Sequence, residues 1–285
     1  MRENLVTDGR FRESSITYGK SETIPIMGKA DAKYHTVGED VEISVTPINE
    51  IVITIDQTLY AATRVADIDE AMRNDIKRSD LANELGTALA KSKDQHILQL
   101  VALAARAASP VTGEPGGSKI TNADLATDTT GEVLVETIKQ AAQTFDEKNV
   151  PEENRMVFLP PKYYWQLAGN TKIMNRDWGG QGVYAEGKVI RVFGMEVIKT
   201  NNTSFGTVVD SGSVAGGGTS NKYAGDFTNT IGVAATRDAV GTVTLKGLLT
   251  EQERQLGKLG TLIVAHMLLG HGTVRPACSI ELAKA

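Results

Sequence analysis

Residues 19–56 read GKSETIPIMGKADAKYHTVGEDVEISVTPINEIVITID. Apolar residues recur here with a period of two. Ile24 and Ile26 sit among polar neighbours, Val41, Ile43 and Val45 alternate with Glu42, Ser44 and Thr46, and Ile51, Ile53 and Ile55 alternate against Val52, Thr54 and Asp56. Successive side chains of an extended chain point to opposite faces, so this alternation predicts strands with one buried face each. The reversal is expected near Val37-Gly38-Glu39-Asp40. Residues 1–18, polar and without a sustained period, read as an extended arm. The stretch is a long β-hairpin placed ahead of any helix.

A two-stranded ribbon cannot bury its apolar face by itself. Two partners fit the pattern, the rest of its own domain or a neighbouring subunit. Charge favours the second. Residues 21–63 hold Glu22, Asp31, Glu39, Asp40, Glu42, Glu50 and Asp56 against Lys29 and Lys33, an excess equal to the whole chain's net charge of −5. Such a concentration steers docking onto a basic surface.

After a short helical piece near Asp67–Met72, Leu81, Leu85, Ala88, Ser92, His96, Leu100, Leu103 and Ala107 recur at three- and four-residue steps. They predict one helix from Asp80 to Ala107, with Ser79 as N-cap and Ser109-Pro110 as stop. At helical rise it spans roughly 42 Å, well beyond the ~11–12 residues of an average helix. It reads as a spine, and Gly86 inside it implies close packing.

Residues 110–130, rich in Gly, Pro and Thr, read as a connector and domain boundary. A second helix follows, with Thr129 and Glu132 as a capping box and Leu134, Ile138, Ala141, Ala142 and Phe145 as its buried stripe. Met156–Leu159 predicts a buried strand, Pro161 opens a third helix, and two strands flank Gly194 (residues 189–193 and 195–199). Residues 200–229 read as flexible and the C-terminal sixty or so as strands, with 248–256 fitting no pattern. The order of hairpin, spine, mixed block and strands predicts an α+β fold.

Composition sets limits on chemistry. The chain has 285 residues, 41% apolar and 23% charged, with aromatics at 5%. One cysteine, Cys278, leaves no intramolecular disulfide or thiolate cluster and points to a reducing site of synthesis. No signal peptide or membrane-length apolar run is read, so the sequons at Asn201 and Asn202 are expected to be unused. His266 and His271 are five residues apart on a strand-like run and point to opposite faces, and His96 reads as a core histidine. Gly180-Gln181-Gly182-Val183-Tyr184-Ala185 fits G-x-G-x-x-A without the preceding strand or following helix that phosphate binding needs. Gly216-Gly217-Gly218 lacks the Lys-Ser/Thr of a P-loop. Asp67, Asp69 and Glu70 complement a helix dipole. No catalytic set, cofactor motif or metal cluster is read, and no enzyme activity is expected.

Gly19-Lys20-Ser21-Glu22-Thr23-Ile24-Pro25-Ile26-Met27-Gly28, Val52-Ile53-Thr54-Ile55-Asp56 and Asp67-Ile68-Asp69-Glu70-Ala71-Met72 follow one another as in the major capsid proteins of short-tailed phages. So do Asp146–Pro151, Pro160-Pro161, Ala239–Val243 and Gly270–Pro276. From Gly19 to Leu282 the chain resembles that family, whose fold is the Hong Kong 97-type capsid fold. The resemblance implies an N-terminal arm (1–18), an extended E-loop (19–63), a peripheral P-domain with the spine (64–110 and 226–285) and an axial A-domain (111–225).

It implies self-assembly of pentamers and hexamers into an icosahedral head around double-stranded DNA, made in the host cytoplasm and carried in the virion. A portal protein and a scaffolding protein are implied partners. No scaffolding domain is fused to the short arm, so a separate protein is expected in that role. Glu22, Lys29, Lys33, Glu39, Asp40, Glu42, Glu50, Asp56 and Arg64 are the residues expected at contacts between copies. The acidic hairpin tip and Ala277, where relatives carry Glu, depart from the family pattern. Covalent crosslinking through Lys29 or Lys33 is not expected. Two alternatives accompany this reading: an encapsulin-type compartment of the same fold, and a small-ligand enzyme built on the Gly179–Ala185 loop.

Overall fold

The structure, a computed structural model, describes residues 5–30, 32–35, 38, 40, 43, 45–72, 78–170, 191–211 and 221–285. The glycine-containing stretches at 180–185 and 216–218 lie outside these residues, as do Glu39, Val41, Glu42 and Ser44.

The hairpin stem is formed by β2 (Ser21–Met27) and β3 (Ile48–Thr54), antiparallel, with Ser21 opposite Thr54 and Met27 opposite Ile48. Its inner face is the predicted one. Ile24, Ile26 and Ile53 are buried against Val111, Val243 and Val274 of the same chain. The stem therefore packs on its own subunit. Beyond it, the described residues of 40–47 belong to no strand, contrary to the alternation at Val41–Val45. Ile43 and Val45 are each 89% exposed, and among the described residues no strand pairs with them.

Residues 5–18 are not a free arm. β1 (Arg12–Ser15) runs parallel to β12 (Val240–Gln255), and Phe11 is buried and stacked on Phe158 at 5.9 Å. The fully buried Asp94 accounts for the rest. Its carboxylate accepts from the Val6 and Thr7 amides, the Thr7 hydroxyl and Asn202, satisfying a charge that burial would otherwise penalise.

β4 (Leu59–Ala66) leads through α1 (Asp67–Met72) to the spine, α2 (Arg78–Ala105), 28 residues long. Ser79 lies inside its first turn rather than at the cap. The predicted face is only partly right, since Ala88 and Ala107 are exposed. From Ile97 onward the helix is buried nearly all round, so no single stripe marks it. Its first half packs Leu85 and Leu89 against Ile263, Ala265, Met267 and Leu269 of β13 (Gly260–Thr273). Strand order in that sheet is β1-β12-β13-β4. Residues 248–255, which showed no pattern, continue β12: Leu249 pairs with His266 and Gln255 with Gly260. Residues 246–254 are exposed, so the strand is held by its backbone ladder and carries no alternation.

The second large sheet has the order β5-β14-β11-β6-β8-β7. Its strands are β5 (Ser118–Thr121), β6 (Met156–Leu159), β7 (Arg191–Val192), β8 (Met195–Lys199), β11 (Thr230–Ala235) and β14 (Ser279–Ala283). The expected connector at 110–130 thus supplies β5, parallel to β14. It lies close on the spine's end: a Cβ on Gly117 would sit 2.2 Å from the Ala104 carbonyl oxygen. Of the stretch 200–229, β9 (Val208–Val209) and β10 (Gly225–Asp226) form a small ladder.

α3 (Glu132–Glu147) and α4 (Pro161–Ala168) cover the sheet. The α3 cap is not the Thr129/Glu132 box. Gly131 occupies the N-cap at φ 75°, and the Asp128 carboxylate accepts from the Thr130, Gly131, Val133 and Leu134 amides.

Candidate assembly surface and hairpin junction

The predicted contact residues fall into two groups. Lys29, Lys33, Asp40, Glu50 and Arg64 are exposed, and Lys29 reaches the Lys148 carbonyl at 3.5 Å. Glu50 stands opposite Pro25 on the outer face of the stem, and Arg64 opposite Leu262 on the edge strand β4. Around them the outer face is apolar, with Met27, Ile48, Val52 and Tyr60 all more than half exposed. Glu39 and Glu42 lie outside the described residues.

Glu22 and Asp56 belong to the second group, turned toward their own subunit. Glu22 accepts from the Ser14 hydroxyl. The Asp56 side chain is only 8% exposed; Lys222 Nζ lies 2.5 Å from one carboxylate oxygen and the Tyr223 hydroxyl donates to the other. Lys222 also donates to the Thr54 carbonyl at 3.3 Å. Burial pushes the Asp56 pKa up, and the hydrogen bonds from Lys222 and Tyr223 only partly offset it.

Behind Tyr223 lie two histidines. His96 of the spine stacks on the Tyr223 ring at 4.2 Å and 6°. His271 of β13 meets Tyr223 edge-on at 6.2 Å and touches Thr242 Oγ1 through Nδ1 at 2.9 Å. Burial holds His96 down to about 4, with the Lys222 charge adding to the effect, and holds His271 well below the ordinary value. Burial also raises the Tyr223 hydroxyl. The backbone is tight here as well: a Cβ on Gly270 would sit 2.2 Å from the Thr54 carbonyl oxygen. His266 is on the other face of β13, partly exposed, as the five-residue spacing requires.

An open cleft of about 580 Å³ lies between the α3 end and β7–β8, lined by Asp146, Glu152, Arg155, Arg191 and Glu196 among others. Arg155 is already engaged there by Asp146 at 2.8 Å and by the Pro151 carbonyl at 3.0 Å. Asp67 pairs with Arg254 at 3.0 Å. The Cys278 thiol is buried and its pKa raised, mainly by that burial, the opposite of an activated nucleophile. Among the described residues no group of three or more His, Cys, Asp or Glu could hold a metal, and no helix is long and apolar enough to cross a membrane.

Sequence reasoning missed Lys222, Tyr223 and the pair Arg106–Glu281. Glu281 carried a signal, a lone carboxylate between Ile280 and Leu282 in an apolar strand. Lys222 and Tyr223 sit in a loop with no periodicity to mark them.

A model of the Gp10A-like family, described as Major capsid protein, matches residues 23–283. The chain belongs to the Gp10A-like major capsid protein family. It is 27% identical to the Major capsid protein of Escherichia phage T7 over 293 residues, covering 95% of this chain and 84% of the relative. Among solved structures, the capsid of cyanophage P-SCSP1u superposes with a TM-score of 0.84 at 36% identity, over 96% of this chain and 86% of that one. The mature capsid of bacteriophage PhiM1 gives 0.77 at 18% identity, over 99% and 87%. The fold is accordingly α+β of the Hong Kong 97 type. This Gp10A-like chain is a structural subunit of a tailed-phage head, a component of the virion that assembles with copies of itself.

Proposed function

We propose that the chain acts by assembly alone, closing into an icosahedral shell of pentamers and hexamers around double-stranded DNA. The observation that carries this is the division of the hairpin. Its stem is satisfied within the subunit, while Tyr34, Ile43 and Val45 near its tip are 89% exposed or more. Exposed apolar side chains beside an acidic tip are suited to a heterologous contact with the next copy, the kind that generates rings and closed shells. In this reading Lys29, Lys33, Asp40, Glu50 and Arg64 set register between copies, together with Glu39 and Glu42, whereas Asp56 and Glu22 act within the subunit.

Residues 19–63 would be the E-loop, 64–110 with 226–285 the P-domain, and 111–225 the A-domain. The six-stranded sheet joins strands from both sides of the 225/226 division, so the two bodies would share it. A net charge of −5 suits a shell that encloses DNA without gripping phosphate. A separate scaffolding protein and a portal protein would complete the head, assembled in the host cytoplasm.

Deleting residues 36–44 tests the reading. Sedimentation and negative-stain microscopy, with scaffolding protein supplied, should show shells from the full chain and only small particles from the deletion, whose circular dichroism stays that of the parent. Normal shells from the deletion would remove the hairpin from assembly. Small oligomers from the full chain would overturn the shell itself.

A further inference from the structure

The buried His271 and the partly buried His96 lie where the hairpin leaves the body. β4 pairs with β13 as far as Leu59 opposite Met267. Past that point the strand edge is taken by chain returning from the hairpin, with the Asp56 amide donating to the Leu269 carbonyl at 3.1 Å. The Asp56 carboxylate then fixes Lys222 and Tyr223, and Tyr223 covers His96 and His271. His271 Nε2 is buried with no hydrogen-bond partner among the described residues. The hairpin exit thus forms a seal over two imidazoles, His271 wholly buried and His96 partly so.

We propose that this seal is an acid-sensitive latch on the hairpin: the imidazoles stay neutral while it is shut and take up protons once it opens, so acid frees the stem. Among the described residues, the charges acting on the imidazoles disfavour a proton on either ring. His96 faces Lys222, and His271 faces His96, Lys222 and Lys93. Lys93 is itself held by Asp8 at 3.7 Å and Glu13 at 3.1 Å. Asp56, the carboxylate at the seal, is occupied by Lys222 and Tyr223.

The direction follows from linkage. His96 titrates at about 4 when shut and near 6.5 when solvated, so opening takes up a proton as pH falls from 6.5 toward 4. Asp56 works the other way, because its carboxyl is easier to protonate shut than open. It opposes release below its own raised value, so the two groups pull in opposite directions on the acid side and the histidine contribution is the one that favours opening. The latch does not depend on the assembly reading, because it is measured on the unassembled chain.

Hydrogen exchange of the full unassembled chain, read peptide by peptide and corrected for intrinsic pH dependence, tests it. Between pH 7.5 and 5, protection of 48–56 and 221–227 should fall about thirtyfold from His96 alone, while the fully buried β6 and β11 keep theirs. His96→Phe retains the ring stack without a proton site, and its fall should shrink by about that factor. Asp56→Asn releases Lys222 and should lower protection of the same segments already at pH 7.5. Flat protection at 48–56 in the wild type would overturn the latch, as would a His96→Phe profile matching wild type. So would unchanged protection in Asp56→Asn, or loss at β6 and β11 at the same pH as the stem.

Discussion

Arg106 and Glu281 form a two-point ion pair, with Nε to Oε2 and Nη2 to Oε1 both at 2.6 Å and the carboxylate wholly buried. Thr230 Oγ1 donates to the same carboxylate at 2.6 Å, and Arg106 Nη1 reaches the Asp226 carbonyl at 2.8 Å. The pair ties the end of the spine to β14 and β11. The hydrogen bond to Glu281 is also the main reason the Arg106 pKa is raised. Removing Arg106 leaves the buried Glu281 charge without its counter-ion, whereas removing Glu281 leaves a guanidinium that water can reach. Arg106→Met should therefore cost ~3–5 kcal/mol in denaturant unfolding, and replacing Glu281 by Leu as well should recover much of it. An Arg106→Met chain within about 1 kcal/mol of wild type would show that water replaces the pair.

Phe11 anchors the N-terminal segment. It is 1% exposed, stacked on Phe158 and flanked by the Asp94 hydrogen bonds. Phe11→Ala should cost ~3–5 kcal/mol and release the backbone around Arg10 and Arg12 from its pairing with β12, opening it to trypsin. Cleavage there in the variant and not in the wild type, followed by mass spectrometry, checks that this segment is docked rather than trailing.

Asp128 caps α3. Burial works to raise its pKa, but the hydrogen bonds from Thr130 and from the Gly131 and Leu134 amides outweigh it and the shift is downward. A carboxyl lowered on folding contributes stability that is present above its unfolded value near 3.8 and lost as pH falls through the lower folded value. Asp128→Ala should cost about 1 kcal/mol. Thermal melts of the two chains should differ by a constant amount above pH 4 or so and converge below it. A difference that persists at the acid end would mean the loss comes from packing instead.

The stem of the hairpin was legible because Ile24, Ile26 and Ile53 alternate and bury one face, and the spine because its apolar steps persist past any ordinary helix length. The same logic failed at Ile43 and Val45, which find no pairing strand among the described residues, and at 249–255, where a strand laddered along one edge is largely exposed and shows no period. The cap of α3 was misplaced because Asp128 reaches past Thr129 to amides up to six residues on, a contact no short motif encodes. The hairpin junction was out of reach. Asp56, His96, Lys222 and His271 come from four separate stretches, and only the fold brings them together.

Stem and tip of the hairpin should separate in their response to mutation. Ile53 is 1% exposed and packed on Val243 and Val274, so Ile53→Ala should cost ~2–5 kcal/mol in unfolding of the isolated chain. Ile43 and Val45 touch water in the single subunit, and replacing both with Asp should change that stability by no more than ~0.5 kcal/mol. Assembly should show the reverse ranking for the tip, with the double-Asp chain failing to form shells while remaining folded. Charge makes a second distinction. Lys29, Glu50 and Arg64 are exposed, and contacts between solvated charges weaken once the screening length falls to about 3 Å at 1 M salt. Arg64→Glu should slow assembly at low salt, and added salt should narrow the gap to wild type, whereas the tip defect should be as severe at either ionic strength. Light scattering during assembly at two salt concentrations reads both. A tip defect that salt corrects would assign the tip contact to charge rather than to burial of Ile43 and Val45.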